Sequence, residues 1–326
     1  MTHKIIAPKL NIPWEEKPKN CPFPIWRYSK NPVINRNPIQ DVSRVFNSAL
    51  VPFNGEFVGV FRGDTFTTIP SLFVGRSKDG IHFEFEEKPI EILDENGNVM
   101  KFNYSYDPRL IEIEGAYYVT FCTDFHGPTL CVAKTLDFKT FKFVSLPFLP
   151  FNRNGVFFPK KINGDYVLLS RPSDNGHTPF GDIYLSRSKN MIDFGRHSFV
   201  LRSGYEWWCG TKVGAGCNPI ETDVGWLLFI HGATTTCSGL VYSLGAVILD
   251  KENPEKVLYR CSPYLLTPEV PDEVSGFVPN VLFATSALVD GETGRIAIYA
   301  GAADTHVELL FTDIDTVVDY IIKNAR

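Results

Sequence analysis

A fivefold repeat constrains this chain more than any other feature. Five apolar runs pass through a turn with glycine and then resume, at Asn54-Gly55, Glu114-Gly115, Asn163-Gly164, Val224-Gly225 and Thr293-Gly294. By subtraction the glycines lie 49 to 69 residues apart. Asn-Gly between apolar runs is a strong short-range hairpin signal, and multi-stranded units of this length fit the blades of a β-propeller. A later strand in each unit carries a second mark, GRSKDG at 75–80, AKTLDF at 133–138 and SRSKNM at 186–191, whose Asp or Asn suits a turn at the strand end. The fourth unit, SLGAVILDKENP at 243–254, keeps only the closing Asp. The expectation is an all-β, five-bladed propeller forming a single domain over residues 1–326. An N-terminal extended arm covers 1–45, the blades 46–312, and a short C-terminal helix 313–326, with Val317, Val318, Ile321 and Ile322 on one side. A β-sandwich is the competing fold, but it needs no five similar units.

The repeat also fixes a phase. Five residues beyond Phe57, Tyr117, Tyr166, Trp226 and Ile296 stand Arg62, Cys122, Arg171, His231 and Gly301. In a propeller these occupy matching heights around one channel. Arg153 and Lys212 fall in neighbouring stretches. A cation ending a buried strand is destabilising unless paired, so salt bridges could explain each singly. Together they predict an anionic ligand, and the planar fork of arginine suits phosphate oxygens. Two carboxylates share the axis side by phase: Asp107, in NYSYDPRL just before a proline that restricts its backbone, and Asp304 in GAADTH. An isolated Asp also caps turns. The polar loop at 172–182 carries His177, and His126 sits in DFHGPT; either could meet a sugar hydroxyl.

Composition removes other classes. Net charge is −5 with no basic run, which argues against nucleic acid. No stretch approaches the ~20 apolar residues of a membrane span, and the N-terminus lacks the apolar centre of a secretion signal. Seven cysteines, an odd number without CxxC, read as free thiols in a reducing cytoplasm, with zinc disfavoured. No GxSxG, GxxxxGKS or GxGxxG stands in a supporting context. Neither a metal nor a cofactor is expected.

The strings FNSALVPFNGEFVGVFR at 46–62, SYDPRL at 105–110, PFNRNGVFFPKKINGDY at 150–166, LLSRPSDNGHTPFGDI at 168–183, GWLLFIHG at 225–232 and GRIAIYAGAADT at 294–305 carry a resemblance. Across nearly its whole length the chain is similar to the mannoside phosphorylases of glycoside hydrolase family 130, and most to the subgroup acting on β-1,4-mannosides. The resemblance implies a five-bladed propeller and a reaction: a terminal β-mannoside plus inorganic phosphate gives α-mannose 1-phosphate and the shortened acceptor. It implies Asp107 as proton donor, acting through the mannose 3-hydroxyl. It implies Arg153, Arg171, Lys212, His231 and Tyr242 as the phosphate pocket. Asn47, Ser48, Arg62 and Asp304 match positions contacting mannose, and Tyr106 and His177 match positions near the acceptor.

The chain departs from the family pattern at Ala300, where a tyrosine is usual beside the pocket, at Cys217 and Asn218, and in FATSA at 283–287, which includes Thr285. These departures bear on acceptor preference among N-acetylglucosamine, glucose and mannose, and leave the reaction class alone. The expected partners are thus a β-mannoside and inorganic phosphate, with a homo-oligomer formed through the arm and the C-terminal helix. Two rivals stand beside this reading. One is a β-mannosidase using water on the same fold, for which Glu206 in GYEWW is the candidate base; the other is a non-catalytic glycan-binding propeller.

Overall fold

The computed structural model describes residues 2–174 and 180–326, and it is built from five sheets arranged as propeller blades, antiparallel except where Ile92–Leu93 adds in parallel to the edge of blade two. Each blade opens with an inner strand: Val42–Phe53, Ser105–Ile113, Asn152–Phe157, Lys212–Ala215 and Leu282–Val289. A second strand pairs with each: Glu56–Thr65, Ala116–Asp124, Tyr166–Asp174, Trp226–Thr236 and Arg295–Ala302. The ring closes through the N-terminus. Trp26–Arg27 is the outer strand of blade five, with Trp26 opposite Phe311. Residues expected to form an arm across the body therefore complete a blade, and blade one begins at Val42.

The second strands read as continuous apolar runs because they are buried on both faces. The period of two persists beneath. In blade four Trp226, Leu228 and Ile230 pack against blade three, whereas Leu227 and Phe229 pack against blade five. Five core clusters result, one between each pair of neighbouring blades. The outer strand Gly195–Leu201 of blade three exposes Arg196, His197 and Phe199 and buries Val200 and Leu201.

The recurring Asp or Asn ends the third strand of every blade. Asp79, Asp137, Asn190 and Asp250 accept from backbone N–H groups two and three residues on. In blade five the same position, Asp313, accepts from the Thr316 N–H and so caps the helix Ile314–Lys323. That helix buries Ile314, Val317, Val318 and Ile321 between blades four and five, whereas Ile322, expected on the same side, is 37% exposed. Among the described residues no helix is long and apolar enough to cross a membrane. All seven cysteines are free.

Candidate active site

Strand pairing places the phase residues at one level. Arg62 lies opposite Phe46, Cys122 opposite Tyr106, Arg171 opposite Arg153, His231 opposite Gly214, and Gly301 opposite Phe283. Just beyond this level the inner strands of blades one, two, three and five lose register. The extra residues there include Asn47, Asp107 and Asn154, with φ of 49°, 53° and 54°. Asn and Asp enter this left-handed region more readily than other side chains, and bulges of this kind re-aim side chains. Asp107 departs from the extended backbone expected of a residue before proline. Asp304, with φ 47°, adds a fourth such position in the turn after the second strand of blade five.

One side of the site is built around carboxylates. Asp107 Oδ1 accepts from Asn47 Nδ2 at 2.7 Å and from Arg62 Nη1 at 3.1 Å. Arg62 also grips Asp64 with Nε and Nη2, and Arg44 reaches the same carboxylate. Burial works against the charge on Arg62, but Asp107 and Asp64 outweigh it and hold the guanidinium above its ordinary value. Asp304 lies beside this group. Burial pushes its carboxyl up to about 7, Asp107 and Asp64 add to the push, and Arg62 and Arg44 oppose it. Gly301 is required here, because a Cβ would stand 2.0 Å from Asn47 Oδ1. Ser48 is fully buried, and its hydroxyl and Asn47 Oδ1 have no hydrogen-bond partner among the described residues.

The other side holds cations that no carboxylate among the described residues pairs with. Arg153, Arg171 and Lys212 form no ion pair among the described residues. Arg153 Nε donates to the Tyr106 hydroxyl at 3.1 Å. Arg171 Nε donates to Ser173 Oγ at 3.0 Å, and its Nη1 donates to His231 Nε2 at 2.8 Å. Burial pushes Lys212 down from the usual lysine value, and Arg171 and Arg153 add to it. His231 is fully buried; burial, reinforced by Arg171, Arg109 and Lys212, holds it well below the ordinary imidazole value. It is neutral at pH 7, accepts from Arg171 through Nε2, and so carries its proton on Nδ1. Its ring lies 6.2 Å from Tyr242 and 4.3 Å from Phe283. Gly214 leaves room for it, since a Cβ there would stand 2.5 Å from the imidazole. The positive charge thus comes from arginine and lysine, and His231 contributes a neutral ring.

The structure brings Asp107, Arg62, Asn47, Ser48 and Asp304 to one side and Arg153, Arg171, Lys212, His231 and Tyr242 to the other, with Tyr106 between them, its ring beside Arg62 and its hydroxyl on Arg153. His177 lies outside the described residues. Four positions read differently from the sequence expectation. Glu206 is buried at the outer edge of blade four, where Arg260 holds it at 2.6 Å, so it is no base for the channel. Ala300 is one residue out of phase and sits in the core between blades four and five rather than beside the pocket. Cys217 is buried in the same core, and Asn218 Nδ2 donates to the Phe157 carbonyl. Thr285 does reach the inner strand of blade one, where its hydroxyl donates to the Ser48 carbonyl at 2.7 Å. Sequence reasoning missed Asp64 and Arg109. Asp64 stands two residues after Arg62 and so on the same strand face. Arg109 stands two after Asp107, a cation entering the alternating run LIEI, in which Glu112 is exposed and Arg109 is buried.

Comparison with known proteins shows the family and the fold. The family described as β-1,4-mannooligosaccharide phosphorylase matches residues 8–323. A β-1,4-mannooligosaccharide phosphorylase of Ruminococcus albus is 49% identical over 324 residues, covering 97% of this chain and 96% of the relative. The solved β-1,2-mannobiose phosphorylase of Listeria innocua, in complex with β-1,2-mannobiose, superposes with a TM-score of 0.81 at 26% identity, covering 92% and 99% of the two chains. A further solved structure comes from work describing glycoside hydrolases within the GH130 family that target β-1,2-mannosidic linkages. It shares the fold at a TM-score of 0.74 and 18% identity, over 92% of this chain and 96% of that one.

Proposed function

This chain belongs to glycoside hydrolase family 130, and from that premise we propose that it cleaves terminal β-1,4-mannosides by inverting phosphorolysis. The products are α-mannose 1-phosphate and a mannooligosaccharide shortened by one unit. The observation that carries this reading is the set of cations without a carboxylate partner among the described residues, Arg153, Arg171 and Lys212, facing the carboxylate Asp107.

An inverting displacement needs an acid on the leaving oxygen and a nucleophile on the opposite face of the sugar. When water is the nucleophile, a second carboxylate must activate it. Among the described residues the site's other carboxylates, Asp64 and Asp304, lie with Arg62 on the acid's own side. Phosphate is already nucleophilic and needs no base. It needs its charge offset and an oxygen aimed at the anomeric carbon, which two arginines and a lysine supply through charge-assisted contacts. Neutral His231 and Tyr242 complete the wall. Asp107, aimed by Asn47 and Arg62, delivers its proton by way of the sugar's 3-hydroxyl. The bond from the anomeric carbon to the leaving oxygen breaks as the bond to phosphate forms, and solvent restores the proton to Asp107. Asp304, protonated up to about pH 7, serves as a hydrogen-bond donor to a mannose hydroxyl. Seven free thiols support a reducing compartment for the reaction.

Incubation with β-1,4-mannobiose, with and without inorganic phosphate, tests the reading. The expected product is α-mannose 1-phosphate, formed only when phosphate is present. Free mannose released equally well in its absence would make the protein a mannosidase. No cleavage in either case, with the sugar still bound, would make it a glycan-binding propeller.

A further inference from the structure

Arg109 begins on the blade that bears the acid and ends across the channel. Its Nη1 donates to the carbonyls of Asp107 and Pro108, at 3.2 and 3.1 Å. Its Nε donates to the carbonyl of Gly216, beyond the inner strand of blade four. The side chain is 1% exposed, and Nη2 is buried without a hydrogen-bond partner among the described residues. Among those residues no carboxylate forms an ion pair with it. The Phe283 ring lies 5.5 Å from its guanidinium carbon, and the same ring packs on His231. Burial pushes Arg109 down to about 10, with Arg171 adding to the push and Asp107 and Cys217 opposing it, so the charge persists at neutral pH.

A buried, unpaired cation is destabilising, and an apolar side chain of similar volume would fill the same space without that penalty. The contacts of Arg109 indicate what it does instead. Asp107 sits in left-handed backbone, a conformation that persists only when its surroundings hold it. The fork of Arg109 holds the carbonyls on both sides of the Asp107–Pro108 link and ties them to the opposite wall. Its charge is close enough to Arg171 and His231 to act on both.

We propose that Arg109 is a positioning residue: it clamps the bulge that aims Asp107 to the far wall of the channel, and its unneutralised charge strengthens anion binding in the adjoining pocket. The proposal rests on the phosphorylase reading and extends it, because it couples the acid to the phosphate pocket through one side chain.

The test compares wild type with R109K and R109M. Phosphate binding is measured by calorimetry with inorganic phosphate alone, and kcat is measured with β-1,4-mannobiose at saturating phosphate. Lysine keeps the charge but lacks the planar fork. R109K should therefore bind phosphate within about threefold of wild type, the charge being retained, while kcat falls on the order of 100-fold, as misalignment of an acid allows. R109M should lose kcat similarly and also bind phosphate at least about tenfold more weakly, the effect of one charge removed a few ångströms from the anion. Wild-type kcat per folded molecule in both variants would overturn the positioning role, even with a lowered Tm. Equal phosphate affinity in R109K and R109M would overturn the electrostatic role. Failure of both variants to fold would also count against the proposal, making Arg109 a requirement of the fold. A wild-type protein that neither binds phosphate nor forms mannose 1-phosphate sinks the phosphorylase reading itself, before any variant is compared.

Discussion

Arg62 and Arg171 occupy the same place in two different blades, yet they do opposite things. Each stands five residues beyond the aromatic mark of its repeat and opposite the inner-strand residue just before a bulge. Each uses Nε to bond the side chain two residues ahead. For Arg62 that residue is Asp64, a carboxylate; for Arg171 it is Ser173, a hydroxyl. The first arginine has its charge compensated by a carboxylate and spends its remaining Nη1 on Asp107. The second has no carboxylate partner among the described residues and leans on a neutral histidine. One residue, Asp or Ser, decides whether an arginine on this scaffold steadies a catalytic carboxylate or waits for an anion. The blades containing Asp64, Asp107 and Asp304 thus form an acid side, and blades three and four a phosphate side.

The largest expected effect tests whether the two sides act separately. Asp107→Asn should lower kcat by on the order of 10² to 10⁴, the usual contribution of a general acid, while phosphate KM stays near wild type. Steady-state kinetics varying each substrate check this, and a matching rise in phosphate KM would break the separation. Arg171→Met removes a buried charge from the other side. It should weaken transition-state binding by about 2–5 kcal/mol, seen chiefly as a raised phosphate KM with mannoside binding in the absence of phosphate unchanged.

A smaller effect concerns Asp304. Its folded carboxyl titrates near 7, far above an ordinary Asp, so the stability linked to its proton is full at low pH and is lost as pH rises toward 7. Above pH 7 it becomes an anion beside Asp107 and Asp64 and can no longer donate. Mannoside KM should therefore rise with pH above 7 in wild type, whereas Asp304→Asn, which keeps a donor, should show a flat profile over that range. A KM profile of the same shape in both proteins would remove Asp304 from sugar binding.

Much of this was legible in the sequence, for physical reasons. Glycine turns and the five-residue count fix strand register, and register fixes which side chains reach the channel, so Arg62, Arg171 and His231 could be placed by counting. What counting could not supply was partnership. The charge state of His231 depends on burial beside three cations from other strands, which no local pattern records. Arg109 escaped notice because its use depends on Gly216, 107 residues away, and on a bulge that breaks the strand alternation. Ala300 was misplaced because a one-residue shift turns a strand side chain from the channel level into the core between blades. Trp26 shows the same limit for the fold: two residues of an irregular proline-rich segment pair with a strand nearly 300 positions later and close the ring.

The most direct measurement converts the phosphate side into the acid side. Ser173→Asp places a carboxylate where Arg171 Nε now meets a hydroxyl, reproducing the arrangement of Arg62 and Asp64. With inorganic phosphate titrated into the folded variant, the dissociation constant should rise at least about tenfold. Phosphate binding as tight as in wild type would contradict the claim that unneutralised cations in blades three and four receive the nucleophile.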